Sequence, residues 1–472
     1  MSAAGPGTSV PAASHPGVPA ALAAAGRLRA ATVEVDAAAL PDLIRAGGGP
    51  DRYLWAKNDV TILGWGEALR LPLPAGWAAP AQTAFVKDAL AAIATEGMPN
   101  LPGCGPLAIG ALPYDPARPG YLTVPRMAVV RRRGRAWVTV TAPAVQRDAF
   151  QPDVEAELSG LAGASPDGLL PDRFELTAVM PHEEWKDLVA RAVKVMDNGA
   201  LSKVVLARQV EVVGNRPFVV PDTLARLAVL YPSCAIFHVD GFLGASPETL
   251  LRRTGTDIES HPLAGTVARS GDPATDDALV AALMSSAKDR HEHQLVVDEI
   301  AAKLRPFASL DVPEQPSILP LRNVSHLGTP IKGTLYDGAS RPGQSGNGAV
   351  HGNACLHAQG NGRADGAGLP TSLELAAVLQ PTPAVGGLPV DAAVEWQREN
   401  EGFDRGFYAG PVGWVDREGD GEWVLGLRSA TVAGNRAVLY AGNGIVAGSD
   451  PDAELAETQL KLQALLAALV RP

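Results

Sequence analysis

The chain is short of cysteine, of long apolar runs and of positive charge. Its three cysteines, Cys104, Cys234 and Cys355, are far apart and follow no ligand spacing, which predicts neither a disulfide framework nor a zinc site. No apolar run reaches the roughly 18 residues that a membrane span needs. The N-terminus has no basic start followed by an apolar signal core. We therefore expect a cytoplasmic protein with no membrane partner.

The shortage of positive charge excludes a second class of partner. The formal net charge is -11, whereas nucleic acids and anionic membranes require a cationic footprint on the protein. An anionic small molecule would have to be neutralised locally. The sequence has no heptad repeat and no exposed apolar stripe that would indicate a partner chain, so we expect a monomer.

The composition divides the chain into segments. With 472 residues, of which 46% are hydrophobic, the chain can bury a large core. Residues 1–30 are mostly Ala, Pro, Gly and Ser and are predicted to be disordered. Residues 31–175 have a mixed pattern, and residues 176–472 are more sharply patterned. Within the second part, residues 338–368 are rich in Gly, Asn, Ser and His and predict a surface insertion.

A lysine lies at the start of a predicted buried strand over residues 201–213. Lys203 shares one face of this strand with Val205 and Ala207, while the other face is apolar. Burial disfavours the charged form of a lysine and would prepare it to accept a proton. The alternative is an ordinary strand-end lysine whose amine reaches water.

Two further polar residues interrupt strand patterns. A hairpin is predicted around Asp240-Gly241, and Pro247 ends its pairing, which leaves Glu248 at a strand junction. Later, residues 406–415, 422–432 and 436–441 predict an antiparallel meander. Arg428 falls inside the middle strand, where it needs a partner, and a planar carboxylate is the natural one.

Two helices each present an acidic pair at a spacing of three residues. Asp289 and Glu292 lie on a helix predicted over residues 276–300, and Glu454 and Glu457 lie on the last helix with Lys461 on the same face. Four carboxylates brought together would need a cation between them, and an all-oxygen site suits Mg²⁺. The alternative is two ordinary acidic helix faces.

A glycine-rich turn is predicted just before the last helix. Residues 441–445 read AGNGI, and Gly442 and Gly444 would let the backbone approach a ligand closely and donate N–H groups to an anion. A structural bend would explain the glycines equally well.

The motifs taken together are similar to those of one enzyme family. These are KVVLAR at 203–208, SPE at 246–248, PLAGT at 262–266, KDRHEH at 288–293, QPTPAVGG at 380–387, YAG at 408–410 and AGNGIVAGSDPDAELAET at 441–458. They resemble the chorismate-utilising enzymes, which include isochorismate synthases, salicylate synthases and the large subunits of anthranilate and aminodeoxychorismate synthases. The resemblance covers about residues 180–470 and is looser in the N-terminal half. It is greatest to isochorismate synthases of the siderophore and menaquinone kind.

The resemblance implies a fold and a reaction. The fold would be α+β, one large domain over residues 31–472 with extensive, mainly antiparallel sheets and helices packed outside. The reaction would be the Mg²⁺-dependent conversion of chorismate to isochorismate. Lys203 resembles the general base that activates water for attack at C2, and Glu248 resembles the general acid that protonates the departing C4 hydroxyl. Ala384 stands where amine-transferring relatives have threonine, which favours water as the nucleophile.

The resemblance also implies the binding residues. Glu292 and Glu457 match the carboxylates that hold Mg²⁺ against the ring carboxylate, with Asp289 and Glu454 supporting them through water; many relatives have glutamate in place of Asp289. His326 matches a ring-side histidine. The positions that match binding sites for the substrate's carboxylates are Gly265, Thr266, Tyr408, Arg428, Gly442 and Lys461.

Three alternatives remain at this point. A salicylate synthase would add a second step that eliminates pyruvate. A catalytically silent relative would bind chorismate without turning it over. A Mg²⁺-dependent phosphohydrolase would suit the carboxylates, but the chain has no glycine-rich phosphate loop that opens a helix.

Overall fold

A computed structural model describes residues 17–97, 99, 101–144, 154, 158, 161, 170–336 and 368–470. Residues 1–16 of the predicted tail and residues 338–367 of the predicted insertion lie outside these ranges. The fold contains ten α-helices within the described residues. They are α1 Val18–Ala25, α2 Leu43–Ala46, α3 Pro80–Ala92, α4 His182–Asp197, α5 Val220–Leu230, α6 Pro273–Ser285, α7 Ala287–Leu304, α8 Ser372–Leu379, α9 Val390–Asn400 and α10 Pro451–Val470.

The strands outnumber the helices. Those of the first part of the chain are β1 Leu28–Val35, β2 Arg52–Lys57, β3 Val60–Leu73, β4 Ala94–Glu96, β5 Leu107–Ala111, β6 Gly120–Arg132, β7 Arg135–Pro143 and β8 Phe174–Ala178. Those that follow are β9 Lys203–Gly214, β10 Ala235–Val239, β11 Phe242–Ser246, β12 Thr249–Thr254, β13 Asp257–His261, β14 Leu263–Ala268, β15 Ala308–Asp311, β16 Ser317–Pro320, β17 Val324–Gly328, β18 Ile331–Leu335, β19 Gly387–Leu388, β20 Pro411–Asp416, β21 Gly421–Leu425, β22 Ser429–Ala433 and β23 Arg436–Val446.

Most strands join one large sheet with two limbs. One limb runs β4-β1-β7-β6-β3-β2-β10-β11-β22-β23-β9, and β9 then pairs with both β8 and β19. The other limb leaves β6 through β5 and runs β5-β20-β21-β12-β13-β18-β15. Every pairing is antiparallel except β1 with β4. The predicted α+β class with a large antiparallel sheet is confirmed.

The core lies between the limbs and under the helices. Trp55 of β2 meets Trp414 of β20 edge to face, with 6.3 Å between ring centroids, inside an apolar cluster shared by both limbs. A small sheet, β14-β17-β16, stands apart from the large one. Its strand β14 holds most of the PLAGT motif and packs against α7. α7 in turn contacts the start of β9 through Glu292 and Lys203.

The predicted disorder of residues 1–30 is wrong for residues 17–30. Pro19 occupies the first turn of α1, where its missing N–H costs nothing. The alanines that follow are strong helix formers, and Ala21 and Ala25 are fully buried. β1 then pairs with β7 along its whole length. Alanine-rich composition indicated disorder because tertiary burial of small side chains leaves no periodic signal.

The helix predicted over residues 276–300 is two helices. α6 ends at Ser285 and α7 begins at Ala287, because Ser286 adopts an extended conformation and its side chain accepts a hydrogen bond from the Asp289 N–H. This is a helix N-cap, which serine favours. The break sets the direction of α7 and therefore of its acidic pair.

The meander also differs from its prediction. The stretch 422–432 is two strands, β21 and β22, separated at Arg428, which has a positive φ of 48°. The turn predicted over residues 441–445 is absent, because β23 continues to Val446 in unbroken register with β9. No helix among the described residues is long and apolar enough to cross a membrane.

Candidate active site

One cavity lies between β9, β23, β14 and the helices α7 and α10. All fifteen residues predicted to form the site line it. They are Lys203, Glu248, Gly265, Thr266, Asp289, Glu292, His326, Ala384, Tyr408, Arg428, Gly442, Gly444, Glu454, Glu457 and Lys461. The structure therefore brings together residues separated by up to 258 positions in the chain, as Lys203 and Lys461 are. Their chemical roles remain predictions.

Lys203 begins β9 and is buried, with 1% of its side chain exposed. Its Nζ lies 2.8 Å from Glu292 Oε1 of α7. Burial by itself raises the pKa of Glu292, but the charge of Lys203 and the hydrogen bond between them outweigh burial, and the net shift is downwards. The lysine is thus not a strand-end residue reaching water, because its amine is held inside the cavity by a carboxylate.

Glu248 occupies the short link between β11 and β12, as Pro247 predicted. Its side chain is buried, and its closest hydrogen-bond donor is the Leu263 N–H, 3.5 Å from Oε1. Burial raises the pKa of Glu248 to about 8, against the lowering effects of the Leu263 N–H and of Lys203. This carboxyl group is therefore protonated at neutral pH and can donate a proton.

A hydrogen-bonded chain crosses the cavity from Thr266 to Arg428. Thr266 Oγ1 lies 3.0 Å from His326 Nδ1, and Arg428 Nη2 lies 3.1 Å from His326 Nε2. Because a guanidinium only donates, His326 Nε2 must accept, and Nδ1 then carries the hydrogen and donates to Thr266. Burial, followed by the charges of Arg428 and Lys461, holds the pKa of His326 well below its usual value. The imidazole is neutral.

Arg428 reaches this position through a strained backbone. A positive φ is uncommon for a residue other than glycine, and here it ends β21 and starts β22. Within the described residues, the Arg428 guanidinium bonds His326 and lines the cavity. The planar carboxylate predicted as its partner would be supplied by a ligand and stays a prediction.

Gly442 and Gly444 serve by lacking a side chain. A Cβ on Gly444 would lie 2.7 Å from Glu292 Oε1 and 3.3 Å from Lys203 Nζ. A Cβ on Gly442 would lie 2.7 Å from the Leu206 carbonyl oxygen and 3.0 Å from the Tyr408 hydroxyl. These glycines let β23 lie close to the Leu206 carbonyl oxygen and to the side chains of Tyr408, Glu292 and Lys203, whereas their approach to a ligand stays a prediction.

The second acidic pair is also engaged within the protein. Lys461 Nζ lies 2.8 Å from Glu457 Oε1 and donates to the Gly442 carbonyl oxygen and to Asn443 Oδ1. Asn443 Nδ2 donates to Glu454 Oε2 at 3.1 Å. Burial, and then the charge of Glu457, raises the pKa of Glu454. Both glutamates of this pair are therefore bonded within the protein.

The structure does not assemble the predicted carboxylates into a ligand cluster. Among the described residues, no group of three or more His, Cys, Asp or Glu side chains has a metal-binding arrangement. Two of the four carboxylates, Glu292 and Glu457, are instead paired with lysines. The two acidic pairs line the same cavity but do not converge on a common metal-binding point.

Sequence reasoning missed several residues of the cavity. Arg405 is a buried guanidinium on its wall, and Tyr440 stacks on Tyr408 with 5.1 Å between the ring centroids. Lys288 adds another cation. Arg405 stands four residues after Glu401, a spacing equally typical of an exposed ion pair, so its burial left no signal in the sequence.

The cavity is electrically unlike the protein around it. It is lined by five cationic side chains, Lys203, Lys288, Arg405, Arg428 and Lys461, and by five carboxyl side chains, Glu248, Asp289, Glu292, Glu454 and Glu457. Arg405 is already neutralised by Glu401, which lies behind the lining, and Glu248 is protonated at neutral pH. The remaining four cations match the remaining four carboxylates, so the lining is close to neutral although the whole chain carries a net charge of -11.

Comparison with known proteins places this fold and cavity in a family. The chain matches the family described as chorismate binding enzyme over residues 26–342 and 363–470. It is 37% identical to the isochorismate synthase DhbC of Bacillus subtilis over 77% of this chain and 81% of that protein. It is 32% identical to the vibriobactin-specific isochorismate synthase of Vibrio cholerae over 77% of this chain and 79% of that protein.

A solved structure gives the same result. The menaquinone-specific isochorismate synthase MenF of Escherichia coli superposes with a TM-score of 0.74 at 27% identity, covering 94% of this chain and 95% of that one. This chain belongs to the chorismate binding enzymes. Its relatives include isochorismate synthases of both siderophore and menaquinone pathways.

Proposed function

We propose that this chain is an isochorismate synthase, an isomerase that moves the ring hydroxyl of chorismate from C4 to C2. The observation that carries the proposal is the placement of Lys203 and Glu248 on one cavity in a member of this family. The reaction needs a base for the attacking water and an acid for the departing hydroxyl. A buried amine and a protonated buried carboxyl supply that pair.

Lys203 is the base in this proposal. It takes a proton from water as the oxygen attacks C2, so the amine must be neutral when the water arrives. In this structure the amine is held by Glu292 Oε1 at 2.8 Å. Glu292 would have to move away from Lys203 before the amine can accept a proton from water.

Glu248 is the acid. It holds its proton at neutral pH because burial raises its pKa to about 8. It donates that proton to the C4 hydroxyl, which leaves as water while the ring double bonds shift. The backbone of Glu248 is held in place by a hydrogen bond from the Leu425 N–H to its carbonyl oxygen.

We further propose Mg²⁺ as the cofactor, held by Glu292 and Glu457 with Asp289 and Glu454 close by. The donor set is all oxygen, which Mg²⁺ prefers. All four carboxylates line the same cavity. When bound, the ion would neutralise a substrate carboxylate. Both ligands would have to exchange their lysine partners for the ion.

Chorismate carries two carboxylates, and the cavity offers two regions of positive charge. Arg428 lies on the side of His326 and Thr266, and Lys461 lies on the side of Gly442. The Tyr408 ring stacks on Tyr440, and its hydroxyl lies close to Gly442. We expect these groups to bind the carboxylates of chorismate and Ala384 to leave room for the attacking water. We also expect the protein to act as a cytoplasmic monomer.

The product decides between the proposed function and its alternatives. Purified protein is incubated with chorismate and Mg²⁺, and the products are separated at short times. Isochorismate as the first product supports the proposal. Salicylate with pyruvate would identify a salicylate synthase instead, and chorismate binding by calorimetry without any product would identify a silent relative. Omitting Mg²⁺ in the presence of a chelator should abolish turnover.

A further inference from the structure

One edge of the strand that carries Lys203 is left without a strand partner. β9 pairs with β23 along its whole length on one side. On the other side it pairs with β19 at Lys203 and Val204 and with β8 from Val210 onwards. Main-chain bonds extend these pairings to the Val205 N–H, which donates to Gly386, and to the Gln209 carbonyl oxygen, which accepts from Val179. Within the described residues, the stretch between them lacks a second strand. Buried N–H and C=O groups on this edge need other partners.

Two buried side chains close most of this gap. Glu401 follows α9, and its Oε1 accepts a hydrogen bond from the Ala207 N–H at 2.9 Å. Arg405 Nη2 donates to the Val205 carbonyl oxygen at 2.8 Å. Arg405 also bonds Glu401 twice, from Nε at 2.8 Å and from Nη2. The side chains of Arg405 and Glu401 are only 3% and 2% exposed.

The same guanidinium reaches the segment that carries Ala384. Arg405 Nη1 donates to the Val385 carbonyl oxygen at 2.9 Å. Val385 directly follows Ala384, and Val205 is on the same face of β9 as Lys203. One planar group therefore joins the residue after Ala384 to the residue two beyond Lys203.

Neighbouring side chains hold the guanidinium rigidly. Its carbon lies 4.4 Å from the centre of the Tyr114 ring, a cation–π contact. The Tyr114 hydroxyl donates to Gln397 Oε1 at 2.6 Å, and Gln397 Nε2 donates to the carbonyl oxygens of Val205 and Gly386. The link between β9 and residues 384–386 is thus doubled, and every member of it is buried.

We propose that Arg405, oriented by Glu401, is a positioning residue that fixes the distance between Lys203 and the segment at Ala384 and so aligns the base with the attacking water. The proposal rests on the proposed function for the identity of the base. A buried ion pair contributes little net stability, so we explain the Arg405–Glu401 pair by the positions in which it holds the two segments. Lysine could not replace Arg405, because an ammonium lacks the planar fork that spans three acceptors.

The test uses two variants and a matched control in the full-length protein. Arg405→Lys keeps the charge and loses the fork, and Glu401→Gln keeps the shape and loses the anchoring charge. Arg253→Lys is the control, because Arg253 is an equally buried arginine that bonds the carbonyl oxygens of Gly255 and Glu418 and does not line the cavity. For each protein, kcat and KM for chorismate are measured, together with hydrogen exchange of the segments 203–209 and 384–388.

A positioning role predicts a split between the kinetic constants. In both variants kcat should fall about thirtyfold while KM stays within about threefold, because misalignment of the base affects the transition state more than binding. Exchange should quicken in the two segments and not in β1. The control should keep kcat within about twofold while losing stability to urea. If Arg405→Lys does not fold, Glu401→Gln alone decides.

Two results would overturn the inference. Folded variants with wild-type kcat and unchanged exchange would show that the guanidinium does not set the alignment. An equal loss of kcat in Arg253→Lys would show a general effect of stability. Failure of the proposed function is distinguished separately, because it would appear as a different product or no product from the wild-type protein, whereas the exchange measurement needs no turnover.

Discussion

Two glutamates that line the same cavity have pKa values shifted in opposite directions. Glu248 and Glu292 are both largely buried, yet the pKa of Glu248 is raised to about 8 and that of Glu292 is lowered. Burial pushes both upwards. The difference is the partner, because Glu292 touches an ammonium at 2.8 Å whereas the closest donor to Glu248 is a backbone N–H at 3.5 Å.

This comparison shows how one cavity can hold an acid and a carboxylate of the same residue type. Direct contact with Lys203 separates the two glutamates. α7 brings Glu292 into an ion pair with Lys203 at the start of β9, whereas Glu248, in the link between β11 and β12, is shifted mainly by burial and only partly offset by the charge of Lys203. The following variants disturb one side of the comparison at a time.

The largest effect is expected from Lys203→Ala, which removes the partner that makes the two glutamates different. Without a base, kcat should fall by about 10³ or more, within the range of general base catalysis. The pKa of Glu292 should rise, because burial is then opposed only by more distant cations. The measurement is turnover with chorismate and Mg²⁺ on protein shown to be folded by circular dichroism. Substantial remaining activity would remove Lys203 as the base.

The next effect is expected from Glu248→Gln, which keeps the shape and removes the acidic proton. We expect kcat to fall by about 10² to 10³ with chorismate affinity nearly unchanged, because the native side chain is already uncharged at neutral pH. Chorismate binding is followed by calorimetry. A variant with near-wild-type kcat would show that another group protonates the leaving hydroxyl.

A smaller effect is expected from Gly444→Ala, which disturbs the ion pair without removing either member. The new methyl would lie 2.7 Å from Glu292 Oε1 and 2.9 Å from Lys203 Cε, so the pair must separate or shift. We expect kcat to fall about tenfold to a hundredfold, as small misplacements of catalytic groups do. Gly26→Ala is the control, since its Cβ would meet nothing closer than 3.9 Å. Equal kcat in both variants would contradict the steric role of Gly444.

The mildest perturbation is a change of pH across the range in which Glu248 loses its proton. A carboxyl group whose pKa is about 8 donates below that pH and is lost as an acid above it. With Mg²⁺ saturating, kcat/KM should therefore halve near pH 8 and fall about tenfold for each further unit. A profile that stays flat from pH 7 to 9.5 would contradict the raised pKa of Glu248.

The sequence predicted the composition of the site better than its internal bonds. All fifteen predicted site residues line the cavity. Local patterns pointed to the lysine, the strand-junction acid and the acidic pairs, whereas Gly265, Thr266, His326, Ala384 and Tyr408 came only from the resemblance to the family. The pairing of Lys203 with Glu292 joins positions 89 apart, and no local pattern reports such a contact. The sequence therefore suggested a free lysine and a metal cluster where the structure has two ion pairs.

Backbone breaks were equally invisible in the sequence. Arg428 stands in an apolar run typical of a continuous strand, yet its positive φ divides that run into β21 and β22. Ser286 similarly divides one helical pattern into α6 and α7. In both places tertiary contacts override local preference, and both breaks aim residues into the cavity.

The pairing of β2 with β10 has a consequence for how this chain can vary. β2 belongs to the N-terminal part, and β10 leads into the hairpin that ends at Glu248. A strand ladder is made by main-chain groups, which every residue except proline supplies in full. We therefore expect β2 to tolerate substitutions that keep its apolar pattern. A different sequence with that pattern can still pair with β10 and hold the hairpin that leads to Glu248. Deleting the N-terminal part would instead expose an unpaired edge beside it. Side chains that reach across the two parts are exceptions. Lys57 donates to Thr249 Oγ1 and pairs with Glu422 at 2.9 Å, and Tyr114 donates to Gln397 and packs on Arg405.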